Sequence, residues 1–487
     1  MRTVEERERK YELPAGAGVA DLVRGGVVAL GEPAVQTLDA VYYDTSELRL
    51  TRAALALRRR TGGDDAGWHL KVGAAGATRT EHQRALTDDS SPPADLIRLV
   101  RAASRGRPVE PVARVETRRR QWPVTGPDGN VRALVADDAV VGHDLVDGRR
   151  IAWHEIEVEL VEGDDDLLDT VDRRLRKAGA RPVATAKVRR VLGDRLRELP
   201  SAGAGAAGVV FGYAAAARDA LVANDPGARD GVVDPVHDMR VAVRRLRSTF
   251  RTFRALWEPA AIAHVRAELS WLGARLGAVR DAQVMRPRLE KAVDRLAPEL
   301  VRGPVAARIQ ERFAADEAAA LTALRRALGS RRYLDLLTAV DTLVEAETTT
   351  GTAVDVGPGW VDRRIHKAVR RADGYLDTAL ERQATAGVSD DDPALHEARK
   401  AYKRARYAVE VRTPRVKALK RLQDLLGDHQ DSVVTRQALL RLANEADSDT
   451  FTYGLLYGEQ EAAGRRLVHR LPEARTRTRR KLRRWLE

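Results

Sequence analysis

The chain has 487 residues, 44% hydrophobic and 32% charged, with 84 Lys and Arg against 71 Asp and Glu for a net charge of +13. That size and composition describe two or three domains with real cores. The absence of cysteine excludes disulfides, thiolate catalysis and Cys-ligated zinc, and suits a reducing compartment. Charges stand at the N-terminus where a signal peptide needs an apolar run, and no apolar stretch approaches the roughly 20 residues of a membrane span. The expected location is cytoplasmic, with no membrane partner.

From the N-terminus, short β-type runs predominate at residues 4–11, 54–60, 68–72, 112–124, 131–137 and 151–160, with helical stretches near 19–30 and 165–178. In Glu6-x-Glu8-x-Lys10 the period of a strand puts two carboxylates and an ammonium on one face, which must meet bulk water or a polar cavity. Arg58 and Arg60 share a face, as do His69 and Lys71, and Arg79 and Glu81. Glu155, Glu157 and Glu159 alternate with Ile156, Val158 and Leu160, so that strand has one acidic and one apolar side. Strands of this kind, closed into a barrel with apolar residues outward, leave a lumen lined by both signs of charge. Such a lumen suits metal-bound polyphosphate, carboxylates holding cations and Arg or Lys holding phosphate oxygens. The run Arg118-Arg119-Arg120 leaves open which of the three points inward.

An Ala/Gly run at residues 201–209 marks a boundary, giving a first domain at 1–198, a linker at 199–210 and a second domain at 211–487. The second domain reads as helix, rich in Ala, Leu and Arg with a period near 3.6, and carries the charge surplus: residues 201–487 hold 50 basic and 38 acidic residues, residues 1–200 hold 34 and 33. His237, Arg240, Arg244 and Arg247 fall at i, i+3, i+7 and i+10, one face of a helix, with Arg245 beside them. His396, Arg399, Lys403 and Arg406 repeat those offsets, flanked by Lys400 and Arg404. Like charges at helical spacing repel by a few tenths of a kcal/mol per pair, so a repeated ridge points to a polyanion that neutralises it. Leu272, Leu276, Gly277 and Asp281 recur as Leu422, Leu426, Gly427 and Asp431, which makes the helical domain a duplicated bundle. The expected fold class is therefore α+β multidomain, a β barrel with flanking helices followed by an all-α duplicated bundle.

The N-terminal set, Glu6-x-Glu8-x-Lys10, Tyr43-Asp44-Thr45, Leu57-Arg58-x-Arg60, Trp68-x-Leu70-Lys71, Arg79-x-Glu81, Arg119 ahead of Trp122, Asp137, the Glu155/Glu157/Glu159 strand and Lys187, resembles the CYTH superfamily of triphosphate tunnel enzymes. The resemblance implies an eight-stranded antiparallel tunnel, two divalent cations (Mg²⁺ or Mn²⁺) and hydrolysis of a terminal phosphate from a linear triphosphate. It implies that Glu6, Glu8, Glu157 and Glu159 hold metal, that Lys10, Arg58, Arg60, Lys71, Arg119 and Lys187 bind triphosphate oxygens, and that Asp137 or Glu155 positions water, with Lys10 also serving catalysis. Relatives often have Ser before the late lysine, where this chain has Ala186.

The two ridges, with Leu276-Gly277-x-x-Arg280-Asp281 and Leu422-Gln423-x-x-Leu426-Gly427-x-x-x-Asp431, resemble the CHAD (conserved histidine alpha-helical) domain over about residues 205–487. That resemblance implies a two-fold helical bundle that binds inorganic polyphosphate without catalysis. The combined expectation is an inorganic triphosphatase acting on tripolyphosphate, with a domain that localises it on long-chain polyphosphate. The alternatives are a polyphosphate-binding protein without turnover and an adenylate cyclase-type tunnel enzyme. Nucleic acid ranks below these, because aromatic residues are only 5% and do not interleave with the ridges.

Overall fold

Alternating apolar and charged residues give the N-terminal unit its strands. The computed structural model describes residues 2–13, 19, 29–73, 78–126, 128–162, 164–196, 207–349, 356–386, 393–446 and 449–486. The helical expectation at 19–30 lies almost entirely outside these. The chain divides into two units, residues 1–200 and 201–487.

In the first unit the strands are β1 (Arg2–Glu12), β2 (Ala29–Leu30), β3 (Ala34–Asp44), β4 (Leu55–Thr61), β5 (Gly67–Val72), β6 (Thr78–Arg84), β7 (Glu110–Thr125), β8 (Val131–Asp144), β9 (Arg150–Leu160) and β10 (Arg181–Pro182). Eight of them run in the order β1-β6-β5-β4-β3-β7-β8-β9, and β9 returns to β1 with Glu159 opposite Glu8 and Glu157 opposite Lys10. Every pairing in this ring is antiparallel, so the sheet is a closed barrel without free edges. The two-residue strands β2 and β10 add to β7 and β1.

Helices cover part of the outer surface and close one end. Among α1 (Arg49–Arg52), α2 (Ala94–Ser104), α3 (Asp165–Lys177) and α4 (Lys187–Val191), α3 starts at Asp164, whose side chain accepts from the Leu167 amide at 3.1 Å. Its Leu168, Val171 and Leu175 recur on one face and pack on Tyr11, Val135, Ile156 and Val158. Each such side chain contributes about 1.5–3 kcal/mol through burial. Helix α4 plugs one end of the barrel: Val188 and Val191 lie among Ala40, Val115, Val140 and Trp153. Gly142 is required there, since a Cβ would sit 2.3 Å from Val191 Cγ2.

The second unit is helical throughout its described residues, with α5 (Gly208–Ala223), α6 (Val233–Thr252), α7 (Pro259–Val293), α8 (Val305–Leu328), α9 (Arg331–Thr349), α10 (Trp360–Ala386), α11 (Pro393–Glu410), α12 (Lys417–Asn444) and α13 (Phe451–Lys481) as its long elements. Packing follows the internal repeat: α5 on α6, α6 on α7 and α7 on α8 correspond to α10 on α11, α11 on α12 and α12 on α13. The ridge helices α6 and α11 pack on each other. A shared core of Met285, Leu289, Ile309, Phe313, Leu439, Leu442, Tyr453 and Leu456 ties the halves together. Among the described residues no helix is long and apolar enough to cross a membrane.

Candidate functional site

Register decides what enters the bore. Around the ring, Lys10 faces Glu157 on β9, Arg58 on β4 faces Tyr42 on β3 and His69 on β5, Lys71 faces Glu81 on β6, and Arg119 on β7 faces Asp138 on β8. Glu6, Glu8, Lys10, Arg58, Arg60, Lys71, Arg119, Glu157, Glu159 and Lys187 line one cavity of about 250 Å³. The lining of both signs expected from strand period is thus a single chamber, with Lys187 entering it from the start of the plug helix α4.

Glu157 is the meeting point of the cations. Lys10 donates to its Oε1, Lys187 Nζ lies 2.7 Å from that oxygen, and Arg119 Nη2 lies 2.5 Å from Oε2. Burial disfavours its charge, yet Lys10, Lys187 and Arg119 hold the carboxyl well below the ordinary range. Glu6 behaves oppositely. Burial, against the pull of Lys71 at 2.6 Å and with Glu81 close by, pushes it up to about 7. Glu159 is also raised, by burial and by the charges of Glu8 and Glu157. Burial and then Arg58 push Arg60 down to about 9.

Neither carboxylate expected beside the attacking water, Asp137 or Glu155, lines the cavity. Asp137 lies on the opposite face of β8, where it accepts from the exposed Arg120 at 3.0 Å. The carboxylate that β8 sends inward is its neighbour Asp138, fully buried and gripped by both ends of the Arg119 guanidinium at 2.8 and 2.7 Å. Glu155 is directed inward but sits beneath Lys187, 2.6 Å from Nζ, with Trp153 Nε1 donating to it at 2.7 Å. Oxygens of Asp138, Glu155 and Glu157 come within 4.8 Å of one another, a buried acidic cluster.

In the helical unit, Arg240 and Arg244 of α6 and Arg399 and Lys403 of α11 form one group. Burial, then Arg399, Arg244 and Arg240, push the Lys403 ammonium down to about 7. Arg399 is lowered by burial and by Arg240 and Arg244, with Asp431 opposing. Arg240 Nη1 donates to Asp281 at 2.9 Å, and Arg244 Nε approaches Tyr407 Oη at 3.4 Å. His237 stands near Arg280 and Arg244, and burial with their charge lowers its proton affinity. His396 Nδ1 bonds Gln430 Oε1 at 2.5 Å. Other ridge members go elsewhere. Arg245 and Arg406 turn to Glu410 at 3.5 and 3.4 Å, Lys400 pairs with Glu397, and Arg247 and Arg404 lie toward Arg251.

The CYTH domain profile matches residues 5–190, and the CHAD domain profile matches residues 212–440. The chain belongs to the CYTH and CHAD domain families. An uncharacterized protein of Mycobacterium tuberculosis strain H37Rv is 37% identical over 492 residues, covering 94% of this chain and 93% of that protein. Among solved structures, PptA from Streptomyces chartreusis has 20% identity and a TM-score of 0.48, covering 56% of this chain and 99% of that one. The CHAD domain from the plant Ricinus communis has 26% identity and a TM-score of 0.41, covering 55% and 93%.

The CYTH chamber also contains residues that sequence reasoning missed. Arg2 and Gln83 line it, as does Tyr42, whose phenol, though buried, is drawn below its ordinary value by Arg58. The period of β1 already extended to Arg2. Tyr42 was masked by the adjacent Tyr43-Asp44-Thr45: Tyr43 points out to the Ser90 carbonyl, and Asp44 is buried accepting the amides of Thr45, Leu50 and Thr51 at the head of α1. The donor set fits the divalent cations that the resemblance implies. Glu157 already has three cationic partners, whereas Glu6 and Glu159 carry proton affinities raised by burial and neighbouring carboxylates, a surplus that a bound cation would relieve.

Proposed function

We propose that the CYTH domain is a divalent-metal-dependent hydrolase that removes the terminal phosphate from a linear triphosphate, inorganic tripolyphosphate in the first instance. The observation that carries the reading is the chamber itself: among the described residues, four glutamates and seven Lys or Arg residues line one cavity of about 250 Å³. Glu6, Glu8 and Glu159, with Glu157 beside them, are the groups to hold metal, which when bound supplies charge neutralisation for the phosphate oxygens. Arg58, Arg60, Lys71 and Arg2 approach an incoming triphosphate from one wall, Lys10, Arg119 and Lys187 from the other. Phosphoryl transfer asks chiefly for alignment and preorganised charge, and this wall needs no nucleophilic side chain. Preorganisation is visible in Arg119, fixed by Asp138, and in Lys187, fixed by Asp138, Glu155 and Glu157.

A compact inorganic chain is favoured over a nucleotide. The volume lies at or below the low end of the roughly 300–1,000 Å³ typical of organic-ligand pockets. Among the described lining residues Tyr42 is the one aromatic ring, and its hydroxyl is engaged by Arg58 at 3.5 Å. The CHAD domain, by its facing Arg240/Arg244 and Arg399/Lys403, is read as a binding surface for long-chain polyphosphate. A substrate panel tests both parts: tripolyphosphate, pyrophosphate, long-chain polyphosphate, ATP and thiamine triphosphate, each with and without Mg²⁺ or Mn²⁺. Metal-dependent phosphate release fastest from tripolyphosphate supports the reading. Cyclic AMP from ATP, or binding without turnover of any of them, refutes it.

A further inference from the structure

His69 on β5 is buried to 1% exposure, as is its partner Glu81 on β6, and neither has a role in the reading above. The imidazole sits between two oxygens. Its Nδ1 lies 3.1 Å from Glu81 Oε1, and its Nε2 lies 2.9 Å from the backbone carbonyl oxygen of Asp65. A carbonyl oxygen can only accept, so Nε2 carries hydrogen. Glu81 is the floor of the cationic wall: Gln83 Nε2 donates to its Oε2 at 2.7 Å, Arg58 lies 3.6 Å and Lys71 3.9 Å away. Burial disfavours the Glu81 charge, but the His69 contact, then Lys71 and Arg58, with a hydrogen bond to Glu6, hold the carboxyl well below its ordinary range, so it too can only accept from the ring. Burial, with the charges of Arg58 and Arg60, lowers the ring's proton affinity below that of a free imidazole, the Glu81 contact opposing; the acceptor placed at each ring nitrogen works the other way. A neutral ring would leave one of its two short contacts as acceptor against acceptor, in a place water does not reach.

The Asp65 contact has a second consequence. The β4–β5 turn passes through Gly62 and Gly63, both at positive φ, and carries Asp65, which lines the chamber and pairs with Arg60. One side chain therefore holds the turn at the chamber wall through Nε2 and the anchor of Arg58 and Lys71 through Nδ1.

We infer that His69 is a buried imidazolium that acts as a positioning residue, fixing Glu81 and the Asp65 turn so that Arg58, Arg60 and Lys71 are set for the phosphate chain. This rests on the triphosphatase reading for its catalytic consequence, but the state of the ring does not. Two measurements on the full-length protein keep them apart. The ¹⁵N resonances of the His69 ring, assigned by their disappearance in His69→Gln, are expected in the hydrogen-bearing range for both nitrogens from about pH 6 to about pH 9. With Mg²⁺ and tripolyphosphate, His69→Phe is expected to raise KM about tenfold with kcat within about threefold, and His69→Gln, which restores one donor, to recover part of that loss. A bare, acceptor-type ring nitrogen at neutral pH overturns the inference, as does a folded His69→Phe protein with wild-type KM. If His69→Phe does not fold, His69→Gln and the ring nitrogens decide it. If the wild-type protein releases no phosphate, the triphosphatase reading falls and the ring nitrogens decide the inference on their own.

Discussion

Lys187 Nζ at the start of the plug helix lies 2.7 Å from Glu157 Oε1 on β9, and both side chains are almost wholly buried. The same ammonium reaches Asp138 at 3.0 Å and Glu155 at 2.6 Å, so three carboxylates depend on it. Removing one partner of a buried ion pair costs about 3–5 kcal/mol, because the other charge is left uncompensated. Lys187→Met is expected to lower the melting temperature of the N-terminal unit by roughly 10 °C, whereas Lys187→Arg retains most of the stability. Thermal denaturation of the two variants checks this, and equal melting temperatures would show that the ammonium is not what holds the cluster.

Glu6 yields a pH dependence. Its carboxyl is raised to about 7 from an ordinary 4.5, so the folded protein binds the proton more tightly than the unfolded chain. Its contribution is therefore fully present below about pH 4.5 and is lost as pH rises through about 7. In the presence of a chelator, wild-type stability should fall between pH 5 and pH 8 relative to Glu6→Gln. Added Mg²⁺ should restore wild type and leave Glu6→Gln unmoved. Melting temperatures across that range, with and without metal, report it; parallel curves would remove Glu6 from the metal site.

Much of this was legible in the chain, and the exceptions have physical reasons. The alternation of Glu155, Glu157 and Glu159 with Ile156, Val158 and Leu160 gives β9 its two faces directly, and Glu6-x-Glu8-x-Lys10 does the same for β1. Alternation gives a face but not a depth, which is why Glu155 is inward yet lies under Lys187. It also fails where two like residues are adjacent: Asp137 and Asp138 differ only in strand parity, and the register with Arg119 selects Asp138. Strand β3 escaped notice because Tyr42 and Tyr43 are both buried, one inward and one outward, so its two faces look alike. The plug helix α4 is five residues long, too short for any periodicity to register.

Lys403 gives the CHAD domain a pH dependence of its own. Its ammonium is held near 7, far below the 10.5 of a free lysine, so between those values the unfolded chain binds more protons and stability rises with pH. Lys403→Met is expected to raise the melting temperature of the protein below pH 7 while weakening long-chain polyphosphate binding about tenfold. Wild-type affinity should itself decline as pH rises through 7. Calorimetric titration at pH 6 and pH 8.5 measures this; unchanged affinity in the variant would place the polyanion elsewhere.

Glu410 limits the ridge. It accepts from Tyr213 Oη at 2.7 Å and pairs with Arg245 and Arg406, one from each ridge helix. Glu410→Gln should release those two guanidiniums, tighten polyphosphate binding a few-fold and steepen its salt dependence, at some cost in stability. A salt series on both proteins shows whether the slope changes; identical slopes would mean that Arg245 and Arg406 stay out of reach.

The central claim, that the CYTH chamber hydrolyses a metal-bound inorganic triphosphate, is tested most directly by phosphate release from tripolyphosphate by the full-length protein, Glu6→Gln and Glu8→Gln, with Mg²⁺ or chelator. Turnover that requires metal and falls by about 10³-fold or more in each variant is the predicted result. Turnover that is indifferent to metal, or undiminished when either glutamate is replaced, would contradict it.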